Sequence, residues 1–496
     1  MERLRQIRLI LAAPVRGSSV VAFRVFFGLL MAWEATRHLS NGWALTSYGP
    51  GFHFTYWPFD FVRPLPGRGM ELVFGVMFVA AIGLALGLFY RVSAVLLAVT
   101  TAYVFLIDQV NYLNHWYLIV LFSVLMIFIP AHRRWSMDAW RTGEDRPIRR
   151  WALWLLRFQI SVPYVFGGVA KLNGDWLTGR PLTQWLESRS DTPLVGWVFE
   201  IDGAGVVLSW GAMLLDLLVP WLMLFTRSAR LPAFVLAVLF HLMNARLFSI
   251  GVFPPMMVAS TTLLLPEDWP ERMATVRRRG VMAVAGVAMA GFAYWFAEGR
   301  LPQALVFGFA AALFVSELGR EEGVGGETVS RPAAVPMRGM AVSLLALWVA
   351  VQVLLPLRHL VIPGDPSWTE EGHRFAWHMK LRDKEVESVV FEVYSPEAQT
   401  TWWIAPREYL TARQARKMAS HPDMLVQFAR FLEEELSDRL PGDLQVMAHT
   451  EVSLNGREPR LLVDPDTDLT AVPRPWWGHA EWILPRDGVP TDAESR

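Results

Sequence analysis

Cysteine is absent from this 496-residue chain and lysine nearly so. Without thiols there can be no disulfide, no thiolate metal site and no cysteine nucleophile. Lysine stands only at positions 171, 380, 384 and 417; every other side-chain cation apart from histidine is arginine. Formal net charge is zero, so no global field directs the chain to nucleic acid. Walker-type and GxGxxG phosphate loops are missing, as is the HExxH zinc motif, and no metal is expected. Apolar surface, in contrast, is abundant: 53% of residues are hydrophobic and mean hydropathy is +0.29, too apolar for a soluble enzyme.

A helix needs about 20 apolar residues to cross the hydrocarbon core. Candidate spans are 18–36, 71–89, 91–108, 113–131, 151–172, 205–226, 230–250, 253–266, 280–298, 302–318 and 339–358. Two are short, so about nine to eleven crossings are expected. The expected fold is a polytopic α-helical membrane domain over 18–358, preceded by an amphipathic segment at 1–17. A small extramembrane α+β domain with a mostly antiparallel sheet follows at 359–496. Within the membrane domain, "GREEGVGGETVSRPAAVPMR" (319–338) reads as a flexible linker.

Arginine placement orients the spans. The N-terminus, Arg91, 132–150, 226–230 and 270–280 are the basic connections, and all fall on one side if the N-terminus is cytoplasmic. An odd number of crossings then leaves the C-terminal domain on the outer face, periplasmic in a bacterial inner membrane. In that domain 374–383, 387–394 and 400–404 read as strands and 421–440 as an amphipathic helix. The segments 444–454 and 458–465 read as a hairpin around Asn455-Gly456.

The same orientation brings three ionisable groups from three spans to one layer near the outer face: Lys171, His115 and His241. Alone, Lys171 reads as well as a snorkelling anchor. Arginine snorkels too, however, and only lysine can give up its proton in a dry pocket. His115 and His241, taken singly, read as packing histidines. Asn114, Asn244 and Asp216 can serve as interhelical hydrogen bonds worth about 1 kcal/mol each. Arg24, Glu34, Arg91, Asp108 and Arg157 read as structural ion pairs or anchors. "WTEEGHRFAWHM" (368–379), with Trp368 and Trp377, is either an interfacial aromatic belt or a cavity lining.

Several stretches then carry a resemblance, polar residues included and in order. They are "FRVFFGLLM" (23–31), "RPLPG" (63–67), "GLALGLFYRVS" (83–93), "NHWYL" (114–118), "GGVAKLNGDW" (167–176), "MLLDLL" (213–218), "FHLMNARLFSIGVFPPMMVAS" (240–260) and "RHLVIPGDPSWT" (358–369). Together they make the chain similar to the vitamin K-dependent gamma-carboxylases among the HTTM-domain membrane proteins, here a bacterial-type homologue. The resemblance implies a carboxylase–epoxidase that uses reduced vitamin K, phylloquinol or menaquinol, with O2 and CO2. Lys171 takes the place of the base that deprotonates the quinol, and His115 the place of a histidine tied to the carboxylation half. Asn114, His241, Asn244, His359, Trp368 and Trp377 are the candidate substrate-binding residues. Implied partners are membrane lipid, the quinol, and a glutamate-containing protein or peptide on the outer face.

The sequence departs from the animal enzymes in three ways. Ala170 stands where they carry a first lysine before the one matched by Lys171, their disulfide is impossible here, and the chain stops soon after the extramembrane sheet. Two other readings therefore stand beside carboxylation: a quinol epoxidase that carboxylates nothing, and a non-catalytic HTTM transporter or scaffold.

Overall fold

The computed structural model describes residues 2–275, 279–318, 335–474 and 478–486. Among them, nine helices are long and apolar enough to cross a bilayer, and two shorter apolar helices accompany them. An amphipathic helix α1 (Glu2–Ala12) precedes α2 (Ser18–Ser40), α3 (Gly69–Leu86), α4 (Tyr90–Ile107), α5 (Asn114–Phe128) and α6 (Arg150–Ala170). Then come α7 (Ala204–Phe225), α8 (Arg230–Leu247), α9 (Phe253–Leu264), α10 (Arg279–Phe296), α11 (Leu301–Leu318) and α12 (Gly339–Leu357). The polytopic helical architecture expected from hydropathy is present; the two shorter helices are α9, from the short run 253–266, and α5, which is shorter than its run of 113–131. The expected linker lies outside the described residues from 319 to 334; its last residues are irregular, and the Met337 N–H donates to the Arg8 carbonyl.

One end of the bundle is basic and pinned by a shared carboxylate. Glu271 accepts from Arg16 at 3.2 Å, from Ser18 at 2.8 Å and from Arg134. At the same end Arg157 donates to the carbonyls of Leu263 and Leu265 at 2.8 and 2.7 Å. These carbonyls close α9 and have no partner within their own helix, so the guanidinium satisfies them.

The opposite end carries a four-stranded antiparallel sheet in the order β2-β1-β3-β4. Its strands are β1 (Lys384–Ser395), β2 (Thr400–Ile404), β3 (Gln445–Leu454) and β4 (Arg460–Leu461). Phe391 pairs with Ala448, and a register shift separates Val386 from Ser388. Val446, Ala448, Thr450, Val452 and Leu454 are buried at every second position of β3, the period-2 pattern of a strand with one covered face. Helices α13 (Ala412–Ala419) and α14 (Pro422–Leu436) supply the facing apolar side chains, among them Met418, Leu425, Phe428 and Leu432. Asn455 and Gly456 both take left-handed φ, 54° and 70°, and turn β3 back towards β4 as the Asn-Gly pair predicts.

Two strand expectations are corrected. Residues 374–377 form turns and 378–383 are irregular, with left-handed φ at Phe375, Trp377 and Lys380. Ala376, Trp377 and His378 are buried in succession, which a strand with one wet face does not allow. The segment instead plugs the bundle: Phe375 and Trp377 pack on Tyr117 of α5, with ring centroids 4.9 and 5.1 Å away. Over 458–465 only Arg460–Leu461 pairs with β3 as β4; beyond it Val463 forms an isolated antiparallel bridge with Ile483 instead.

Candidate functional site

Helix α6 ends at Lys171, whose backbone N–H bonds back to the last turn. Its side chain folds over that turn, so Nζ donates to the Gly167 carbonyl at 3.2 Å and to Asp216 Oδ2 at 2.7 Å. A cation at a helix C-terminus is favoured by the exposed carbonyls there. Lys171 is only 4% exposed and Asp216 5%, so this is a buried ion pair. The Trp176 ring covers Nζ at 5.3 Å, and its indole N–H is held by the Ser209 carbonyl at 2.8 Å.

Close approach of α6 and α7 makes the pair possible. A Cβ on Gly168 would come within 2.7 Å of the Leu217 side chain and 3.0 Å of its backbone nitrogen, so only glycine fits. In "GGVAK" the second glycine thus sets the helix spacing, and the lysine three residues on reaches the neighbouring carboxylate.

Lys171 and Asp216 line a cavity of about 720 Å3 between α6, α7, α8 and the segment 379–380. Its walls are otherwise almost wholly aliphatic and aromatic. Leu214, Leu218, Leu236 and Leu239 line it and are also exposed on the outside of the bundle, so its flank opens sideways between α7 and α8. Volumes of about 300–1,000 Å3 are typical of sites that enclose a small organic ligand.

His241 is a second polar station on the cavity wall, and its proton can be traced. The Thr261 hydroxyl donates to the Met257 carbonyl at 2.7 Å, which leaves Thr261 Oγ1 to accept from the Tyr164 hydroxyl at 2.8 Å. Tyr164 Oη then accepts from His241 Nε2–H, also at 2.8 Å. That order assigns the bare lone pair to Nδ1, which is buried and has no hydrogen-bond partner among the described residues. An orphaned acceptor in an apolar cavity is complementary to a ligand hydroxyl. Asn244 shares this wall, one turn beyond His241.

The remaining candidates lie elsewhere. His115 lines a separate, smaller chamber; it and His241, which lines the cavity, pack against Phe253 with centroids 5.6 and 6.0 Å away. Asn114 donates to the His378 carbonyl at 3.1 Å and so fastens the plug segment to α5. Trp377 is buried in that plug. His359 bonds the Pro356 carbonyl at 2.7 Å and stacks edge-on against His378, away from the cavity. Trp368 belongs to the extramembrane core, where its indole N–H donates to the Leu484 carbonyl at 2.7 Å. Among the described residues no three His, Asp or Glu groups are placed to hold a metal ion.

Asp216, Tyr164 and Thr261 are the site residues that sequence reasoning did not assign. Asp216 stood out as a carboxylate in a span, but its partner depends on helix rotation, which hydropathy does not report. Tyr164 and Thr261 carried no signal.

The extramembrane domain is fastened to the lysine motif itself. Asp175 accepts from Arg457 Nη1 at 2.8 Å and from Asn455 at 2.7 Å, both in the β3–β4 turn. Hydrogen bonding to Arg457 outweighs burial and lowers the Asp175 pKa. Trp185, on a short helix just after the motif, donates to Asp383 at 2.9 Å. The sheet domain therefore closes the end of the bundle where Lys171 sits.

Two family models match the chain. That of the HTTM domain covers residues 12–269, and that of the lumenal domain of the vitamin K-dependent gamma-carboxylase covers 337–488. No solved structure matches the chain.

Proposed function

Because the chain belongs to the HTTM-domain family of vitamin K-dependent gamma-carboxylases, we propose that it is an integral-membrane glutamate carboxylase coupled to quinol epoxidation. The observation that carries this reading is the buried Lys171–Asp216 pair at the wall of a sideways-open apolar cavity. A reduced naphthoquinone fits that cavity in kind: apolar rings and tail against the aliphatic walls, one hydroxyl for the Lys171–Asp216 pair and the other for His241 Nδ1.

A glutamate γ-carbon proton is far too weakly acidic for any side-chain base. The reduced vitamin, when bound and oxygenated by O2, supplies a base that is strong enough and leaves as its epoxide. The protein's own task is the easier proton, that of the quinol hydroxyl. Lys171 Nζ donates to Asp216 Oδ2, and the pair acts as one unit that accepts the hydroxyl proton. An ammonium then stays on Nζ, facing the new oxyanion, while Asp216 is neutral. The aliphatic walls and the plug at 374–380 keep bulk water from both charges. His115, which packs on Phe253, is the candidate for the carboxylation half.

In this reading the basic end of the bundle, with α1, is cytoplasmic, and the sheet domain from about residue 359 is periplasmic in a bacterial inner membrane. Menaquinol is then the natural quinol. Its tail would leave through the gap between α7 and α8.

The test is turnover by the purified full-length chain. With reduced naphthoquinone, O2, labelled bicarbonate and a glutamate peptide, label should enter the peptide as epoxide forms, and Lys171→Ala should abolish both. Epoxide without label would leave a quinol epoxidase. Neither product would leave a non-catalytic membrane protein.

A further inference from the structure

The connection from α6 to α7 is a structured strap over the apolar cavity. Residues 180–203 carry two short helices, Leu182–Glu187 and Gly196–Phe199. Gly179 and Gly203, with left-handed φ of 89° and 80°, bound the strap and turn the chain at its two ends. Leu182, Trp185, Leu186, Val195, Val198 and Phe199 line the cavity, so the inner side of the strap is its roof. The sheet domain holds the first helix from above. Trp185 donates to Asp383, and Gln184 donates to the Asn455 carbonyl at 3.2 Å.

The outer side is divided. Glu187, Ser188, Arg189, Ser190 and Asp191 are exposed in succession, as suits a bend in water. After them the exposed side chains become large and apolar: Leu194 is 65% exposed, Trp197 66% and Ile201 51%. The Trp197 indole N–H donates to the Leu194 carbonyl at 2.9 Å, so the ring carries no unpaired donor into an apolar medium. The apolar band continues onto the spans on both sides, through exposed Leu172 just past α6 and exposed Val207 in the first turn of α7. Glu200 and Asp202 are exposed beside it, which fits the headgroup level better than the hydrocarbon centre.

We propose that the outer face of this strap is a lipid-contact surface. Leu194, Trp197 and Ile201 seat in the headgroup–acyl boundary of the leaflet on the sheet-domain side, and the bilayer thereby holds the strap down as a lid on the cavity. Continuity with the lipid-facing sides of α6 and α7 selects lipid as the occupant, and an aromatic at that depth is the usual interfacial anchor. The cavity thus has a roof whose closure depends on the membrane as well as on the sheet domain. The carboxylase reading enters only by naming a quinol as the ligand beneath it.

Because the chain has no cysteine, a single substitution gives the intact protein in nanodiscs one labelling site. A nitroxide on Trp197→Cys or Leu194→Cys should be relaxed more by O2, which concentrates in lipid, than by water-soluble nickel-EDDA. The same label on Trp403→Cys, exposed on β2, should show the reverse. Leu186→Cys, on the cavity side, should react slowly with a charged methanethiosulfonate. Adding Trp197→Glu, which draws the strap towards water, should speed that reaction about tenfold or more, and adding Trp197→Phe should not. Stronger relaxation by the nickel complex at both 194 and 197, or poor access of both reagents there, as under a protein partner, would overturn the proposal. Fast reaction of Leu186→Cys alone, or an unchanged rate with Trp197→Glu, would overturn it as well. Neither readout involves quinol, so failure of turnover with these results intact would sink the carboxylase reading and leave the lid.

Discussion

Lys171 Nζ donates to Asp216 Oδ2 across 2.7 Å, and this bond ties the C-terminus of α6 to the middle of α7 inside an apolar cavity. Two charges so placed work as a unit, since neither has another side-chain counter-ion among the described residues. Lys171→Ala and Asp216→Asn should therefore each lower quinol-dependent O2 uptake by roughly 100-fold or more, and the double variant no further. Uptake in Asp216→Asn close to wild type would show that the carboxylate only anchors the amine.

The same pair makes a stability prediction. Asp216→Asn leaves a buried cation without its anion, which costs about 3–5 kcal/mol. Lys171→Met combined with Asp216→Leu removes both charges and should recover most of that loss. Thermal unfolding in detergent of the single and double variants measures the difference.

Tyr164→Phe removes the acceptor that keeps a proton on His241 Nε2. Nδ1 is then no longer fixed as the bare nitrogen, while the ring that lines the cavity stays in place. The expected loss is about 1–1.5 kcal/mol, or roughly tenfold in kcat/KM for the quinol. His241→Asn, whose amide oxygen can stand near Nδ1, should retain more activity than His241→Ala.

Gly167 and Gly168 look alike in the sequence but differ in what surrounds them. A Cβ on Gly167 would lie 3.2 Å from the flexible tip of Met379, whereas on Gly168 it would strike Leu217 at 2.7 Å. Gly167→Ala should therefore be tolerated. Gly168→Val should push α6 from α7, cost about 1–3 kcal/mol and abolish activity by breaking the Lys171–Asp216 contact. Equal stability of the two variants would contradict this packing account.

In the extramembrane domain Glu370 accepts from Arg382 and lies 3.4 Å from Lys384. Burial pushes its pKa up, but Arg382, His421 and Lys384 together pull it well below the usual carboxylate range. A carboxyl with a depressed folded-state pKa stabilises in full above its unfolded value, about 4.3, and loses that contribution as pH falls towards the folded value. Protection of β1 and β3 amides from hydrogen exchange should accordingly fall as pH drops from about 5 to 2, once corrected for intrinsic exchange rates. Glu370→Gln should be less protected at pH 7 and show a flatter profile.

Span number, the position of the lysine and the separate sheet domain were legible because each leaves a one-dimensional trace. Apolar runs marked α2 to α12, nine of them of bilayer length, the scarcity of lysine drew attention to Lys171, and Asn455-Gly456 marked a turn. The stretch 374–383 reads as a strand because aromatic content imitates β-propensity, whereas Ala376, Trp377 and His378 are buried in succession in an irregular plug. Which carboxylate meets Lys171, and that His115 and His241 face different chambers, depends on helix rotation and on one intervening ring, Phe253. Neither leaves a periodic signature.

The central claim is that the Lys171–Asp216 pair takes the hydroxyl proton of a bound quinol. The most direct measurement is the anaerobic absorption spectrum of reduced naphthoquinone bound to the protein at pH 7, since neutral and ionised quinols absorb differently. The account predicts the ionised form on the wild type and the neutral form on Lys171→Ala at equal occupancy. A neutral quinol on the wild type, or an ionised one on both, would contradict it.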